Sequence, residues 1–161
     1  MAKGKKGTDK EDGVKIICRN KRALHEYHVF DSLECGLALT GTEVKSLRDG
    51  SGSLDDAYAK IEGGEVWLLG CDIPEYAMGN RLNNKPKRPR KLLLHRREIA
   101  KFAGKASERG FTLVPLKMYF KNGRAKIELA VARGKKLYDK RQDEKKSEAQ
   151  REIRRAMRNK E

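Results

Sequence analysis

The sequence predicts a mainly β fold with flanking helices, in which a small, closed or nearly closed β-barrel is followed by a basic tail. Three observations lead to this prediction: two glycine-containing turns between alternating apolar strands, one amphipathic helix, and a last stretch with almost no apolar surface. Roughly six short strands in about 120 residues favour a barrel over an open sheet.

Composition and charge predict one domain with extensions. The chain has 161 residues, a formal net charge of +15 and 37% hydrophobic residues, which suits one compact core. Residues 1–13 are charged and poor in apolar side chains, so we expect a flexible leader and not a signal peptide. Residues 14–138 form the predicted domain and residues 139–161 the tail. Because no apolar run approaches the ~20 residues of a membrane span, we expect a soluble, cytoplasmic protein.

The first half of the domain carries strand and turn signals. "YHVFD" (27–31) and "GLALTG" (36–41) predict a pair of strands, and "GTEVKSLRDG" (41–50) predicts a strand followed by a helical turn around Lys45 to Arg48. "EGGE" at Glu62 to Glu65 predicts a hairpin turn. Residues 76–91 lack periodicity and contain two prolines, so we expect a long surface loop.

The second half contains the clearest helix and the clearest hairpin. Residues 95–110 predict an amphipathic helix, because Ile99, Phe102, Ala103 and Ala106 recur at i, i+3, i+4 and i+7. The Asn-Gly pair of "KNGR" (121–124) predicts a hairpin between two alternating strands. We expect these strands to bury Leu116, Met118, Phe120, Ala125, Ile127, Leu129 and Val131, and to expose Lys117, Tyr119, Lys126 and Glu128.

The charge of the body points to nucleic acid as the partner. Residues 14–138 contain 25 Lys and Arg against 14 Asp and Glu, an excess of 11 positive charges. Neutralising phosphates with such a surface releases counterions and favours binding. An anionic membrane surface is the weaker alternative, because no segment combines a strong amphipathic pattern with bulky apolar anchors.

Residues for catalysis or metal binding are not indicated. His25 and His28 are three positions apart on a predicted strand, which would send their imidazoles to opposite faces, unlike the His-Glu-x-x-His helix of zinc proteases. Cys18, Cys35 and Cys71 form no Cys-x-x-Cys pair, so we expect reduced cysteines in or near the core. We therefore expect no enzyme activity, no cofactor and no metal ion.

Two basic segments are candidates for RNA contact. Residues 81–97 contain eight Lys or Arg and no acid, and "ARGKK" (132–136) includes a glycine that lets backbone approach a phosphate. A solvated loop is the alternative for the first segment, but its prolines stiffen it, so less entropy is lost on docking.

Three single residues have two interpretations each. His25, among basic neighbours, can stack on an unpaired base or can be a surface histidine at the end of a strand. Glu34 is an edge acid by default, although in a basic groove it can accept base amino hydrogens. Trp67, in an apolar strand, is expected in the core rather than as a stacking surface.

The tail, Asp139 to Glu161, carries 15 charged residues and one thin apolar stripe. Burying Ile153 and Met157 from this stripe stabilises by roughly 1.5 to 3 kcal/mol each, whereas fixing its backbone costs on the order of 20 to 45 kcal/mol. We expect the free tail to be frayed or disordered and to become a helix when a partner supplies the missing surface.

Six ordered motifs carry a resemblance to a known family. "NKRALHEY", "GTEVKSLRDG", "RKLLLHRREI", "GFTLVPLKMYF", "ARGKKLYDKR" and the basic tail resemble, in this order and spacing, the small protein B (SsrA-binding protein) family, which partners transfer-messenger RNA. The resemblance implies an oligonucleotide-binding-like β-barrel with flanking helices. It also implies the rescue of ribosomes stalled on truncated messages, together with aminoacylated transfer-messenger RNA and elongation factor Tu.

The same resemblance implies the site residues. Family positions that contact the tRNA-like domain, or that shape the surface doing so, match Asn20, His25, Glu34, Leu93, Lys126 and Gly134. The charge pattern and the matching motifs add Lys91, Lys135 and Lys136. The family's tail forms a helix in the empty message channel near the decoding centre, and the implied ribosome-binding residues are Asp139, Lys140, Arg141, Ile153, Arg154, Arg155 and Met157. Many members carry tryptophan and isoleucine where this chain has Ala149 and Ala156.

We therefore expect an RNA-binding adaptor with no chemistry of its own. A ribosome-bound structural or assembly protein is the second hypothesis, since the same charge and tails would suit it. An RNA-processing nuclease is the third, and it would need an acid cluster or histidine pair that the sequence does not offer.

Overall fold

The computed structural model describes residues 13–79 and 83–159, in which the chain forms seven strands and four helices. In chain order these are β1 (Val14–Arg19), α1 (Lys21–Glu26), β2 (Tyr27–Leu37), α2 (Gly41–Arg48), β3 (Tyr58–Glu62), β4 (Glu65–Leu69), β5 (Arg90–Leu93), α3 (Arg96–Ala106), β6 (Phe111–Lys121), β7 (Arg124–Gly134) and α4 (Leu137–Arg158). Apart from Gly13, the predicted leader lies outside the described residues, as does Arg81 of the predicted loop.

The strands form one antiparallel sheet whose pairings close on themselves. Around the ring the order is β3, β4, β5, β2, β7 and β6, and β6 pairs again with β3. β1 adds to β6 outside this ring. The predicted mainly β fold with flanking helices is confirmed.

Both predicted hairpin turns are present. Gly63 and Gly64 have φ values of 61° and 73°, and Asn122 and Gly123 have values of 51° and 75°. Two successive residues with positive φ match the right-handed twist of the flanking strands, and glycine and asparagine tolerate that conformation best. The β3–β4 and β6–β7 pairs follow from these turns.

Apolar side chains from the strands and from α2 and α3 fill the ring. Phe102 of α3 is 2% exposed, as the amphipathic pattern predicts. The cysteines are free, as expected. Burial raises the pKa of the Cys35 thiol to about 12 and that of Cys71 to about 11, so both behave as small core residues.

Two strand predictions for the first half are wrong. Residues 27–31 and 36–41 do not pair with each other; most of them lie in the single strand β2, which passes through an irregularity between Val29 and Asp31. The predicted strand at the start of "GTEVKSLRDG" is helical, because the backbone N–H of Thr40 donates to the carboxylate of Glu43 at 3.1 Å. The Thr-x-x-Glu spacing is the signature of a helix start, and it outweighs the local strand signal.

His25 lies in a different secondary-structure element from the one predicted. His25 lies on helix α1 and His28 on β2, so the strand-alternation argument about their imidazoles was wrong. Asn20 caps the N-terminus of helix α1, and its side-chain oxygen accepts from the backbone N–H of Ala23 at 3.1 Å. Asparagine is a favoured residue at this capping position.

Strand β6 departs from regular alternation. A register shift between Pro115 and Lys117 sends Leu116 toward a small second cluster with Ala23 and Ala132, not into the main core. Tyr119 is 6% exposed instead of facing solvent. The extra residue explains Leu116, because it reverses the face of the preceding residues relative to Met118 and Phe120, which lie in the main core as predicted. Tyr119 keeps the predicted outer face, opposite Lys126, and is buried there beside Glu34.

Trp67 is not a core residue. It is only partly buried, and it lies on the face of β4 opposite Val66 and Leu68, which belong to the main cluster. Its register partners are Lys60 and Lys91. The apolar run alone did not show which face of the strand the indole would take.

Helix α4 begins at Leu137, two residues before the predicted tail boundary, and none of its described side chains is buried. No helix within residues 13–79 and 83–159 is long and apolar enough to span a membrane. That the isolated tail is frayed in solution stays a prediction.

Candidate nucleic-acid interface

Three predicted RNA residues share one outer face of the sheet. Gly36 is the register partner of both Leu93 and Lys126, and Glu34 lies two positions before it on the same side of β2. Leu93 is 52% exposed. A Cβ on Gly36 would lie 3.1 Å from the Cβ of Leu93, so glycine lets the leucine lie across β2. We call Glu34, Leu93 and Lys126 the Glu34 surface.

Tyr119 holds the carboxylate of Glu34. The Tyr119 hydroxyl donates to Oε2 of Glu34 at 2.5 Å, and Lys121 Nζ lies 3.5 Å from the same oxygen. The hydrogen bond from Tyr119 is the main reason that the pKa of Glu34 is lowered; burial opposes it, and Lys121 and Lys126 add to it. Glu34 is thus ionised at neutral pH, and both contacts use Oε2, so Oε1 can accept a hydrogen bond from a ligand.

An open groove of about 670 Å³ adjoins the Glu34 surface, between the β3–β4 turn, β5 and α3. Lys91, Leu93, Arg96 and Ile99 are among the residues that line it. Lys91 Nζ donates to Glu65 at 2.6 Å, with both side chains about four-tenths exposed. Exposed ion pairs contribute little, so Lys91 can exchange this carboxylate for a phosphate.

The other predicted RNA residues gather at the opposite end of the β2–β7 ladder, where Tyr27 pairs with Gly134. We call this region the α1 end; its predicted members are Asn20, His25, Gly134, Lys135 and Lys136.

Asn20 shapes the α1 end without offering atoms to a ligand. It is 2% exposed, and its Nδ2 donates to the carbonyl of Pro115 at 3.0 Å while its oxygen caps α1. Gly134 and Lys136 are exposed. The backbone N–H of Lys135 donates to the carbonyl of Glu26 at 2.8 Å and ties the end of β7 to α1.

Helix α4 lies against the α1 end through acidic side chains. Lys135 Nζ contacts the carboxylate of Asp143 and donates to the carbonyl of Leu24 at 3.0 Å, which leaves its side chain 9% exposed. The hydrogen bond from Lys135 is the main reason that the pKa of Asp143 is lowered. His25 Nε2 lies 3.0 Å from Oε1 of Glu144.

A third contact joins His28 to the first turn of α4, with Nε2 lying 3.5 Å from Oδ2 of Asp139. His25 and Lys135, both predicted to contact RNA, are therefore in contact with the chain's own tail.

The two groups are well separated. Lys126 and Gly134 are eight positions apart on β7, which corresponds to roughly 25 Å at about 3.3 Å per residue. The structure thus brings Glu34, Leu93 and Lys126 together and brings His25, Gly134 and Lys135 together, but it does not join them in one pocket.

Two arginines of the predicted basic patch are engaged inside the protein. Arg90 is 0% exposed, and its Nε and Nη2 donate to Glu43 Oε1 at 3.1 and 2.9 Å. Arg88 donates to both oxygens of Glu43 at 2.7 Å. These two arginines of the predicted basic segment anchor it to α2 through Glu43.

Beyond Glu144, α4 projects from the body with every described residue exposed. This half, residues 145–158, is about 21 Å long at 1.5 Å per residue. Ile153 and Met157 are 55% and 66% exposed, and Arg154 and Arg155 lie beside them. Of the tail residues nearer the body, Asp139 and Lys140 are partly buried and Arg141 is exposed.

Sequence reasoning missed Tyr119 as the partner of Glu34 and the tail acids as partners of the α1 end. The first contact joins residues 85 positions apart and leaves no local signal. The second had one: Asp139, Asp143 and Glu144 cluster in the first two turns of a helix in which basic residues outnumber acidic ones.

The chain is similar to known proteins over most of its length. A family model described as "SmpB protein" matches residues 17–159. The SsrA-binding protein of Thermobifida fusca is 60% identical over 154 residues, covering 96% of this chain and 96% of that protein. The SsrA-binding protein of Acidothermus cellulolyticus is 58% identical over 148 residues, covering 92% and 93%.

One solved structure is similar as well. It is described as "tmRNA-SmpB: a journey to the center of the bacterial ribosome", and one of its chains is 46% identical with a TM-score of 0.64 over 74% of this chain and 85% of that chain. The family match runs from β1 through the ring and its flanking helices to the end of α4. This chain therefore belongs to the SmpB family.

Proposed function

We propose that this chain is an RNA-binding adaptor of trans-translation, which binds the tRNA-like domain of transfer-messenger RNA and delivers that RNA to stalled ribosomes. The observation that carries this proposal is the match of residues 17–159 to the SmpB family. Relatives named SsrA-binding proteins, matched over nearly their whole length, support it. The adaptor works in the cytoplasm with no cofactor and no chemistry of its own, and elongation factor Tu is part of the delivery complex.

The Glu34 surface and the α1 end contact the RNA at two places. A separation of roughly 25 Å along the ladder suits the backbone of a folded RNA better than a single nucleotide. Lys91, Lys126 and Lys136 neutralise phosphates, while Oε1 of Glu34 accepts hydrogens from a base amino group or a 2′-hydroxyl. Leu93 supplies an apolar contact beside the carboxylate.

The exposed half of α4 enters the vacant message channel. Its two large apolar side chains, Ile153 and Met157, would contribute roughly 1.5 to 3 kcal/mol each on burial, too little to hold the helix alone. Arg154 and Arg155 add contacts to ribosomal RNA phosphates. Asp139, Lys140 and Arg141 then lie near the decoding centre.

The direct experiment is to purify the protein from a lysate of its own cells and sequence the RNA that accompanies it. We expect transfer-messenger RNA to be enriched far above its cellular share. Stoichiometric presence on translating, non-stalled ribosomes, with ribosomal RNA as the main bound species, would favour the structural or assembly protein instead.

A truncation separates the roles of body and tail. Deleting Asp139 to Glu161 should abolish tagging of stalled chains while RNA binding persists, because the Glu34 surface and the α1 end precede the cut. Tagging is measured in a reconstituted translation reaction, and binding by anisotropy with labelled tRNA-like domain. Loss of RNA binding on truncation would contradict this division.

A further inference from the structure

We infer that the acidic first turns of α4 act as a strap over the α1 end, and that RNA displaces this strap when it binds, releasing the tail. The strap consists of Asp139, Asp143 and Glu144. The inference rests on the proposed function, since the α1 end must be an RNA-binding surface.

The strap is built from three acidic residues in the first two turns of α4, each in contact with the body. Asp139 and Asp143 are one turn apart and lie on the same side of the helix. Glu144 lies about 100° further round the helix, and its contact with His25 shows that it also reaches the body. Their partners come from three places on the body: His28 on β2, His25 on α1 and Lys135 after β7.

The carboxylates occupy the groups that would otherwise meet phosphates. The ammonium of Lys135 lies between the carbonyl of Leu24 and the carboxylate of Asp143. With its side chain 9% exposed, it cannot contact a ligand unless Asp143 leaves. The ring nitrogen of His25 is likewise engaged by Glu144 at 3.0 Å. A carboxylate oxygen and a phosphate oxygen accept from the same donors, so strap and RNA compete.

The strap is weak enough to be displaced. His25 and Glu144 are 50% and 57% exposed, and His28 and Asp139 are 48% and 38% exposed, so water screens both contacts. A polyanion that meets several basic groups at once gains counterion release that three carboxylates cannot match. RNA on the α1 end therefore frees α4 to reorient, which couples capture of the RNA to presentation of the tail.

A pair of double variants tests the competition in the full chain. Asp143→Asn with Glu144→Gln removes two strap carboxylates. Glu148→Gln with Glu152→Gln removes the same charge from the projecting half of the same helix. With the tRNA-like domain as probe at fixed salt, the strap variant should bind about 2- to 30-fold more tightly than the matched control, because two contacts whose carboxylates are 43% and 57% exposed no longer have to be broken. Equal affinities for the two variants would overturn the inference.

Amide hydrogen exchange gives a second readout. In the full chain, residues 139–144 should exchange faster after the tRNA-like domain is added, while the β2–β7 ladder keeps its protection. Unchanged exchange in α4 on RNA binding would overturn the strap but leave the proposed function intact. Failure of the unmodified chain to bind the tRNA-like domain at all would instead overturn the proposed function.

Discussion

The buried ion pairs around Glu43 allow a sharp test of how the basic segment is held. Glu43 is 4% exposed and receives hydrogen bonds from Arg88, Arg90 and the backbone of Thr40. Replacing Glu43 by Gln keeps the shape and one acceptor oxygen, but it removes the charge that compensates the fully buried Arg90. The variant should fold with clearly lower stability.

The magnitude follows from the partners that remain. Removing one partner of a buried ion pair costs about 3 to 5 kcal/mol. Arg90 keeps three backbone acceptors, the carbonyls of Cys71, Pro86 and Arg88, at 2.7 to 3.2 Å. Arg88 is 29% exposed and can turn to water. We therefore expect the lower end, about 3 kcal/mol, or a fall in melting temperature of about 6 to 12 °C at about 2 to 4 °C per kcal/mol.

Urea unfolding followed by circular dichroism measures this loss as a lower midpoint with an unchanged slope. Glu62→Gln is the matched control, because its pair with Lys60 has side chains 67% and 53% exposed. That control should cost less than about 1 kcal/mol. The reasoning fails if Glu43→Gln costs no more than Glu62→Gln.

The effect of Glu43 also depends on pH in a defined direction. Burial raises the pKa of Glu43, but Arg88, the Thr40 backbone and Arg90 outweigh it and lower the pKa overall. A carboxyl whose pKa is lower in the folded state than in the unfolded state stabilises the fold at pH values above its unfolded-state pKa of about 4.3. This stabilisation is lost as the pH falls through the pKa of the folded state. The stability difference between wild type and Glu43→Gln should be constant above about pH 6 and shrink below about pH 4.

Three further predictions concern function. Tyr119→Phe should weaken binding of the tRNA-like domain about 2- to 10-fold. Without the tyrosine hydroxyl the pKa of Glu34 rises, so the pH below which binding is lost should also rise. Anisotropy titrations between pH 4 and 7 measure both effects. Lys126→Ala should make the slope of log affinity against log salt concentration shallower by about 0.7 to 0.9, which corresponds to the loss of one phosphate contact. The affinity is measured between about 0.05 and 0.3 M salt. Ile153→Ser with Met157→Ser should leave unfolding free energy and RNA affinity unchanged, since both side chains are exposed, but lower tagging in a reconstituted reaction.

Each of these has its own control. For Tyr119→Phe, an unchanged pH profile would show that the hydroxyl does not prepare Glu34 for RNA. For Lys126→Ala, the comparison is Lys60→Ala, since Lys60 lies on β3 away from the ladder; equal slopes for both would count against the Glu34 surface. For the tail, a loss of RNA affinity in the double serine variant would place its apolar stripe on the RNA and not on the ribosome.

Local chemistry made several elements predictable. Positive φ at Gly63–Gly64 and at Asn122–Gly123 is a property of those residue types, so both hairpins could be predicted without knowledge of their surroundings. The recurrence of Ile99 and Phe102 at helical spacing likewise predicted α3. The capping box of Thr40 and Glu43 is equally local, and it explains why α2 begins at Gly41, where a strand was expected before the predicted helical turn around Lys45 to Arg48.

What the sequence alone determined is the class of fold, the two hairpins, the basic character of the body and tail, and the family. These depend on residue type, on short-range spacing or on ordered motifs. Tertiary structure alone decided that Arg88 and Arg90 turn inward to Glu43, that Tyr119 holds Glu34, and that Lys135 meets a carboxylate of the tail. Whether a charge is buried, paired or free depends on groups brought near it from distant parts of the chain, because electrostatic and hydrogen-bond energies fall steeply with separation in space.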